Sequence, residues 1–310
     1  MTGSTDFLKT IAIGIFLILL GCHAEKSNQA SQEPIAPSEQ GNEKPETVVL
    51  FRIDDIGMNH AVNLALKDLA QTKIPLSASV MFNCPWYQEA VEILKENPQI
   101  SVGVHLTLNA EWKYYRWGPV IGKTLASSLV DSTGYFLPST AEFLASNYKL
   151  EEVEQELEAQ IKRALSTGLK IDYIDFHMRT ALATPELKRI TEKLAEKYDL
   201  KMSMFMDEAY KTMFNTEIDQ KSNDLIDHLS NKLDHTKVNL VIIHVAHANP
   251  EMNVLVDMNN PTMNTQDGKP LVSSHRQAEL DALLSEEVKK VIEENNIRIV
   301  SYADMPIRQP

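Results

Sequence analysis

Four short stretches carry side chains that could act together in a reaction. Asp54 and Asp55 stand side by side at the end of the apolar run Val48-Val49-Leu50-Phe51-Arg52-Ile53, and Gly57 follows closely. His105 lies late in a second apolar run, Ile100 to Leu108; Asp175 and His177 close a third that begins at Ile171; and His244 lies late in a fourth, Val238 to Val245. Two adjacent carboxylates at the end of a buried strand are costly unless something compensates them. A bound cation compensates well, and a second acid beside it can then serve as a base. Taken alone, the first stretch also reads as a strand running into an Asp-rich turn. A single strand-end histidine is more often structural than a ligand, but three that converge with an acid pair point to metal-assisted catalysis. An Asp/His/His set suits Zn²⁺ or another borderline divalent ion, with water in the remaining positions. Such an ion polarises a carbonyl and lowers the pKa of its water, which is the chemistry of one-metal amide or ester hydrolysis.

These residues need a frame that brings strand ends together. The apolar pattern predicts strands at 47–53, 76–82, 100–108, 171–176, 201–206, 238–245 and 297–302. Helices are expected between them: one capped by Asn59 with Val62, Leu66 and Leu69 on its apolar face, then 86–96, 150–167, 186–198, 221–233 and 274–295. Regular alternation of strand and helix argues for a parallel sheet with helical crossovers, and strands apolar on both faces fit a doubly covered sheet. A barrel and an open doubly wound sheet both satisfy the pattern; in a barrel, all these strand ends meet at one mouth. No Gly-x-Gly-x-x-Gly or Walker pattern follows the first strand, which argues against a nucleotide site. Two connections are unusually long. The excursion from Asn109 to about Lys149 carries Trp112, Tyr114, Tyr115, Trp117, Tyr135 and Phe136, which suit either a platform for sugar rings or a satellite mini-core. A second polar loop spans 246–273.

The chain has 310 residues, a formal charge of −13 and no basic block, which argues against nucleic acid and anionic membrane surfaces as partners. Lys9 precedes the apolar run Ile11 to Leu20, too short for a stable membrane span and suited to a signal segment. The run ends in Leu19-Leu20-Gly21-Cys22, which resembles the lipobox of bacterial lipoproteins. That likeness implies cleavage before Cys22 and a lipid on Cys22, anchoring the protein at the bacterial cell envelope. Residues 22–46, polar and rich in Pro, Ser, Gln and Glu, read as a flexible tether. The expected organisation is therefore a signal over 1–21, a tether over 22–46 and one catalytic domain over 47–310. With Cys22 lipidated, Cys84 has no disulfide partner and is expected as a buried apolar residue.

The chain resembles the YdjC-like carbohydrate deacetylases, which are related in logic to the NodB-type polysaccharide deacetylases. The resemblance rests on Arg52-Ile-Asp-Asp-Ile-Gly57 with Asn63, Gly103-Val-His-Leu-Thr107, Asp175-Phe-His177, Ile243-His244, and Arg276 with Glu279-Leu280. It implies an α/β fold, a distorted seven-stranded (β/α) barrel with long inserted loops. It also implies a divalent metal, Zn²⁺ or Mg²⁺, and removal of acetyl from N-acetylated glycans such as chitooligosaccharides. Carried over by motif, Asp55, His105 and His177 would hold the metal and Asp54 would act as base; the swapped roles of Asp54 and Asp55 stay open. His244 would protonate the leaving amine, and Arg276 would orient the substrate or a catalytic acid. Asn63, Trp112 and Trp117 are further candidates for contact with the sugar. The chain departs from the family pattern at Arg179, where a second histidine is usual, and at Val245-Ala246-His247, where Pro-Gly is usual. Both places are expected to face the sugar, with His247 replacing a lost polar contact. The resemblance allows a homodimer. Two other readings fit the same residues: a lipoprotein that binds glycans without turnover, and an esterase or phosphodiesterase on the same scaffold.

Overall fold

The structure is a computed structural model that describes residues 47–204, 207–260 and 271–306. The signal segment, Cys22 and the tether lie outside the described residues, as do residues 261–270 of the second long loop.

The fold is organised on β1 (Thr47–Ile56), buried along nine of its ten residues. Its β-branched and aromatic side chains fill both faces, as a central strand between two layers requires. On one side follow β2 (Ser77–Val80), β3 (Ser101–Leu106), β4 (Tyr173–Phe176) and β5 (Lys201–Met202); on the other lie β7 (Val238–His244) and then β6 (Ala209–Thr212). Every pairing is parallel. An eighth strand, β8 (Ile297–Val300), pairs with Thr47–Leu50 of β1, while β2 pairs with Arg52–Ile56. One strand thus divides its edge between two partners, and the sheet curls into a half-barrel. The crossovers are α1 (His60–Gln71), α2 (Tyr87–Glu96), α3 (Thr140–Ala145), α4 (Leu150–Ser166), α5 (Pro185–Lys197), α6 (Lys221–Asn231), α7 (Val272–Leu284) and α8 (Glu286–Glu294).

Alternation along the strands separates two environments. Val49, Phe51 and Ile53 join the large core that includes Val62 and Leu66 of α1, Leu157 of α4 and Leu187 of α5. Leu50, Tyr173, Leu240, Ile242, Val300 and Tyr302 form a smaller buried cluster, the inner face of the half-barrel. The Tyr173 and Tyr302 rings lie with centroids 4.1 Å apart. A Cβ on Gly103 would fall 2.3 Å from Cζ of Tyr173, so only glycine lets that ring lie across β3. This apolar plug is the floor. Continuing by twos up the same strands leads to Arg52 and Asp54, to Asp175, to His105 and to His244.

The seven strands read from sequence correspond to β1–β5, β7 and β8. β6 is additional: its Ala-Tyr-Lys-Thr run is half exposed and lacks an apolar signal. The single long helix expected over 274–295 is two, because Ser285 leaves the helical region and caps α8 by accepting from the Val288 amide. Much of the aromatic excursion is a mini-core around Ala126, Leu129, Phe136 and Phe143. It is tied to α4 by two buried polar side chains. Glu156 accepts from the amides of Val120 and Ile121, and Gln160 bonds the backbone of Thr107 in both directions.

Candidate active site

The inner strand ends open on a cavity of about 380 Å³ lined by Arg52, Asp54, Asp55, His105, Glu111, Trp112, His177, Arg179, His244, Asp257, Arg276 and Glu279, among others. Consecutive strand residues point to opposite faces, so Asp54 and Asp55 should not both reach it. The chain solves this with a kink. Pairing of β1 with β2 shifts register between Ile53 and Ile56, and Asp55 adopts φ +64°. Asp tolerates this left-handed conformation better than most residues, and it turns the second carboxylate toward the cavity beside the first.

Asp55, His105 and His177 form a triangle. Asp55 Oδ1 lies 3.4 Å from His105 Nε2 and 3.2 Å from His177 Nδ1, and the two ring nitrogens are 3.4 Å apart. All three residues are buried. The opposite ring nitrogens are each held by an acid: His105 Nδ1 by Asp175 Oδ2 at 2.9 Å, and His177 Nε2 by Glu111 Oε2 at 2.9 Å. These acids fix which nitrogen of each imidazole faces the triangle. Asp55 Oδ2 accepts from Arg276 at 2.5 Å, whereas Oδ1 is buried with no hydrogen-bond partner. Asp54 is occupied differently. Both its oxygens are clamped by Arg52, each at 2.7 Å, and Arg52 Nε also lies 3.1 Å from Asp175.

The residues present fit one divalent cation. One carboxylate oxygen and two imidazole nitrogens converge, with the carboxylate oxygen lacking any other partner. The charges agree: Asp54, Asp55, Asp175 and Glu111 face two guanidiniums, Arg52 and Arg276, which leaves two negative charges unmatched. In the protein alone, the imidazoles answer that imbalance. Burial by itself would lower the His105 pKa, but Asp175 and then Asp54 overcome it and raise it to about 9. Burial likewise opposes protonation of His177, but Glu111 and Asp55 carry it to about 10. Both acids of the pair stay ionised despite burial, Asp54 chiefly through Arg52 and Asp55 chiefly through Arg276.

His244 lies opposite Asp54 in the β1–β7 register. Its Nδ1 is buried without a partner, and its backbone amide donates to Glu279 Oε2 at 2.7 Å. Glu279 is in turn paired with the fully buried Lys221 at 2.8 Å. The Arg276 guanidinium lies 5.5 Å from the centroid of the Trp112 ring, which forms one wall.

The structure therefore gathers Asp54, Asp55, His105, His177, His244, Arg276, Trp112 and Arg179 around one cavity. Three other sequence candidates lie elsewhere. Asn63 accepts from the Gly57 amide and donates to Trp86 O and Glu89, so it braces the turn that follows Asp55. Trp117 is buried, donates to Asn109 O and packs edge-on to the His177 ring. His247 pairs at the surface with Asp68, 2.8 Å away. Glu111 and Asp257 carried no signal in the sequence, because both stand in loops with no periodicity. An antiparallel bridge between Trp112 and Asp257, with Met258 N donating to Glu111 O, zips the two loops together over the site.

A protein named carbohydrate deacetylase from Brevibacillus brevis is 32% identical over 150 residues, which is 48% of this chain and 56% of that protein. Carbohydrate deacetylase 1 from Listeria innocua is 29% identical over 161 residues, covering 51% of this chain and 61% of that one. The chain thus spans little more than half the length of these two relatives. A carbohydrate deacetylase from Listeria monocytogenes aligns over 268 residues at 26% identity, 83% of this chain and 99% of the relative. In fold, the chain matches the crystal structure of an Enterococcus faecalis protein provisionally described as a cellobiose-phosphate cleavage protein, with a TM-score of 0.65 and 23% identity over 83% of this chain and 98% of that one. The sequence profile of the YdjC-like proteins matches residues 48–294, and the chain belongs to that family.

Proposed function

We propose that this protein is a metal-dependent carbohydrate deacetylase that removes acetyl groups from N-acetylated amino sugars. The observation that carries the reading is the buried Asp55–His105–His177 triangle with a second carboxylate, Asp54, and the imidazole of His244 lining the same cavity. The names of the relatives support the substrate class. Asp55, His105 and His177 would hold a divalent ion, which when bound polarises the acetyl carbonyl and acidifies water.

The remaining steps belong to the chain. Arg52 keeps Asp54 a carboxylate, ready to accept the proton of the attacking water. The C–N bond of the amide then breaks, and His244 delivers a proton to the departing amine. Glu279 fixes the backbone of His244, and Lys221 holds Glu279 in place at 2.8 Å. Arg276 holds Asp55 in place and lies against Trp112, which forms one wall of the cavity. An Asp54→Asn variant tests the assignment. It should bind metal and lower kcat by about 10²–10⁴-fold, the usual span for a general base; acetate release at the wild-type rate would overturn it.

We also propose that Leu19-Leu20-Gly21-Cys22 directs lipidation at Cys22 and attachment to the cell envelope. Cys22→Ser should move the protein from the membrane to the soluble fraction, and unchanged membrane attachment would contradict this.

A further inference from the structure

Three arginines line the cavity, and among the described residues only Arg179 forms no ion pair, although Nη1 of Arg276 also lacks a hydrogen-bond partner. Arg52 is bonded to Asp54 and Ser203, and Arg276 to Asp55. Arg179 is exposed, and among the described residues no side chain or carbonyl pairs with its guanidinium. Of the other lining acids, Glu111 pairs with His177 and Glu279 with Lys221, while Asp257 Oδ1 accepts from the Asn259 amide.

The backbone that presents Arg179 is unusual. Met178 and Arg179 have φ of 51° and 59°, two successive residues in the left-handed region that side chains other than Gly, Asn and Asp avoid. They follow directly on His177. Thr140 Oγ1 lies 3.3 Å from the Met178 carbonyl and 2.6 Å from Thr180 Oγ1, and Thr180 is bonded to Asn109, so hydroxyls pin the corner. Strained backbone of this kind, held by its surroundings, concentrates at ligand clamps. Here it places a guanidinium at the mouth two residues from the triangle, so a group held by Arg179 lies on the acetylated ring or its neighbour.

We infer that Arg179 is a specificity-determining residue that receives a carboxylate on the substrate, so that the preferred substrate is an N-acetylated sugar carrying one acidic group. The inference rests on the deacetylase reading and names the substrate class within it. The guanidinium fork matches a carboxylate in two parallel hydrogen bonds. One uncommitted cation matches one negative charge. A phosphate dianion would bring a second charge toward Asp54, Asp55, Glu111 and Asp257, with nothing left to balance it.

The test compares N-acetylmuramic acid with N-acetylglucosamine, which differ by one carboxylate-bearing ether, and includes N-acetylglucosamine 6-phosphate as a third arm. Acetate release is measured with the metal-loaded full chain, its Arg179→Gln variant and its Arg179→Lys variant. Binding of each sugar is measured by calorimetry. The expected result is a preference for the carboxylate sugar expressed in KM, lost about tenfold in Arg179→Gln and partly kept in Arg179→Lys; tenfold corresponds to about 1.4 kcal/mol. The preference should fall with added salt. Equal use of the acidic and neutral sugars by the wild type, a preference that survives Arg179→Gln, or a stronger preference for the phosphate would each overturn it. Calorimetry separates the two claims. If no sugar releases acetate but Arg179→Gln still weakens binding of the carboxylate sugar alone, the deacetylase reading fails and the role of Arg179 stands.

Discussion

Replacing Glu111 probes the link between the long excursion and the metal triangle. Its carboxylate accepts from His177 Nε2 at 2.9 Å, and both side chains are more than nine-tenths buried. With Nε2 held in this way, His177 presents Nδ1 to Asp55 and His105. Glu111→Ala removes the acceptor and frees the ring to change tautomer and orientation. A hydrogen bond to a charged group contributes about 1.5–3 kcal/mol, and loss of an acid behind a ligating histidine typically costs about 10–100-fold in metal affinity. Glu111→Gln keeps a neutral acceptor at nearly the same place and should lose only part of that. The backbone bonds that join the two loops, such as Met258 N to Glu111 O, do not involve the side chain, so the cover itself should persist. The assay is competition for Zn²⁺ against a chromophoric chelator, with circular dichroism to confirm folding. The predicted order of affinity is wild type, then Gln, then Ala. A folded Ala variant with wild-type affinity would refute the argument that Glu111 sets the ligating nitrogen.

Further expectations concern stability and packing. The metal-stripped protein should lose stability as pH rises above neutral: His105 and His177 bind protons more tightly folded, at about 9 and about 10, than unfolded. Their contribution is full below about pH 6.5, the unfolded value, and is lost as pH rises through the folded values; thermal melts across that window check it, and metal-loaded protein should not show the same decline. Lys221→Met leaves Glu279 buried without its partner and should cost about 3–5 kcal/mol in denaturant unfolding. Gly103→Ala drives a methyl into the fully buried Tyr173 ring and should cost about 1–3 kcal/mol, with weaker metal binding because His105 lies two residues along the same strand.

The strands that carry the site were readable because their apolar runs are continuous and end in polar side chains, so His105, Asp175 and His244 declared their positions at strand ends. Other features depend on partners distant in sequence. Strict alternation sends Asp54 and Asp55 to opposite faces, and only the register shift against β2 with positive φ at Asp55 brings both to the cavity. Glu111 stands in a loop without a pattern, and it matters because folding brings it against His177. Asn63 and His247 lie near the motif residues in sequence, yet Asn63, on α1, turns to Glu89, and His247, in the loop after β7, pairs with Asp68 of α1. Trp117 packs behind His177, where an aromatic-rich composition gives no direction. β6 was not legible because its half-exposed residues carry no burial signal.

The measurement that bears most directly on the account is acetate release from N-acetylated oligosaccharides by metal-stripped protein, before and after reloading with Zn²⁺, Mg²⁺, Mn²⁺, Co²⁺ or Ni²⁺, alongside His105→Ala and His177→Ala. Acetate is expected only after reloading, with one ion per chain, and neither bound metal nor activity is expected in the two variants. Acetate release by the stripped protein, or full activity in both variants, would contradict it.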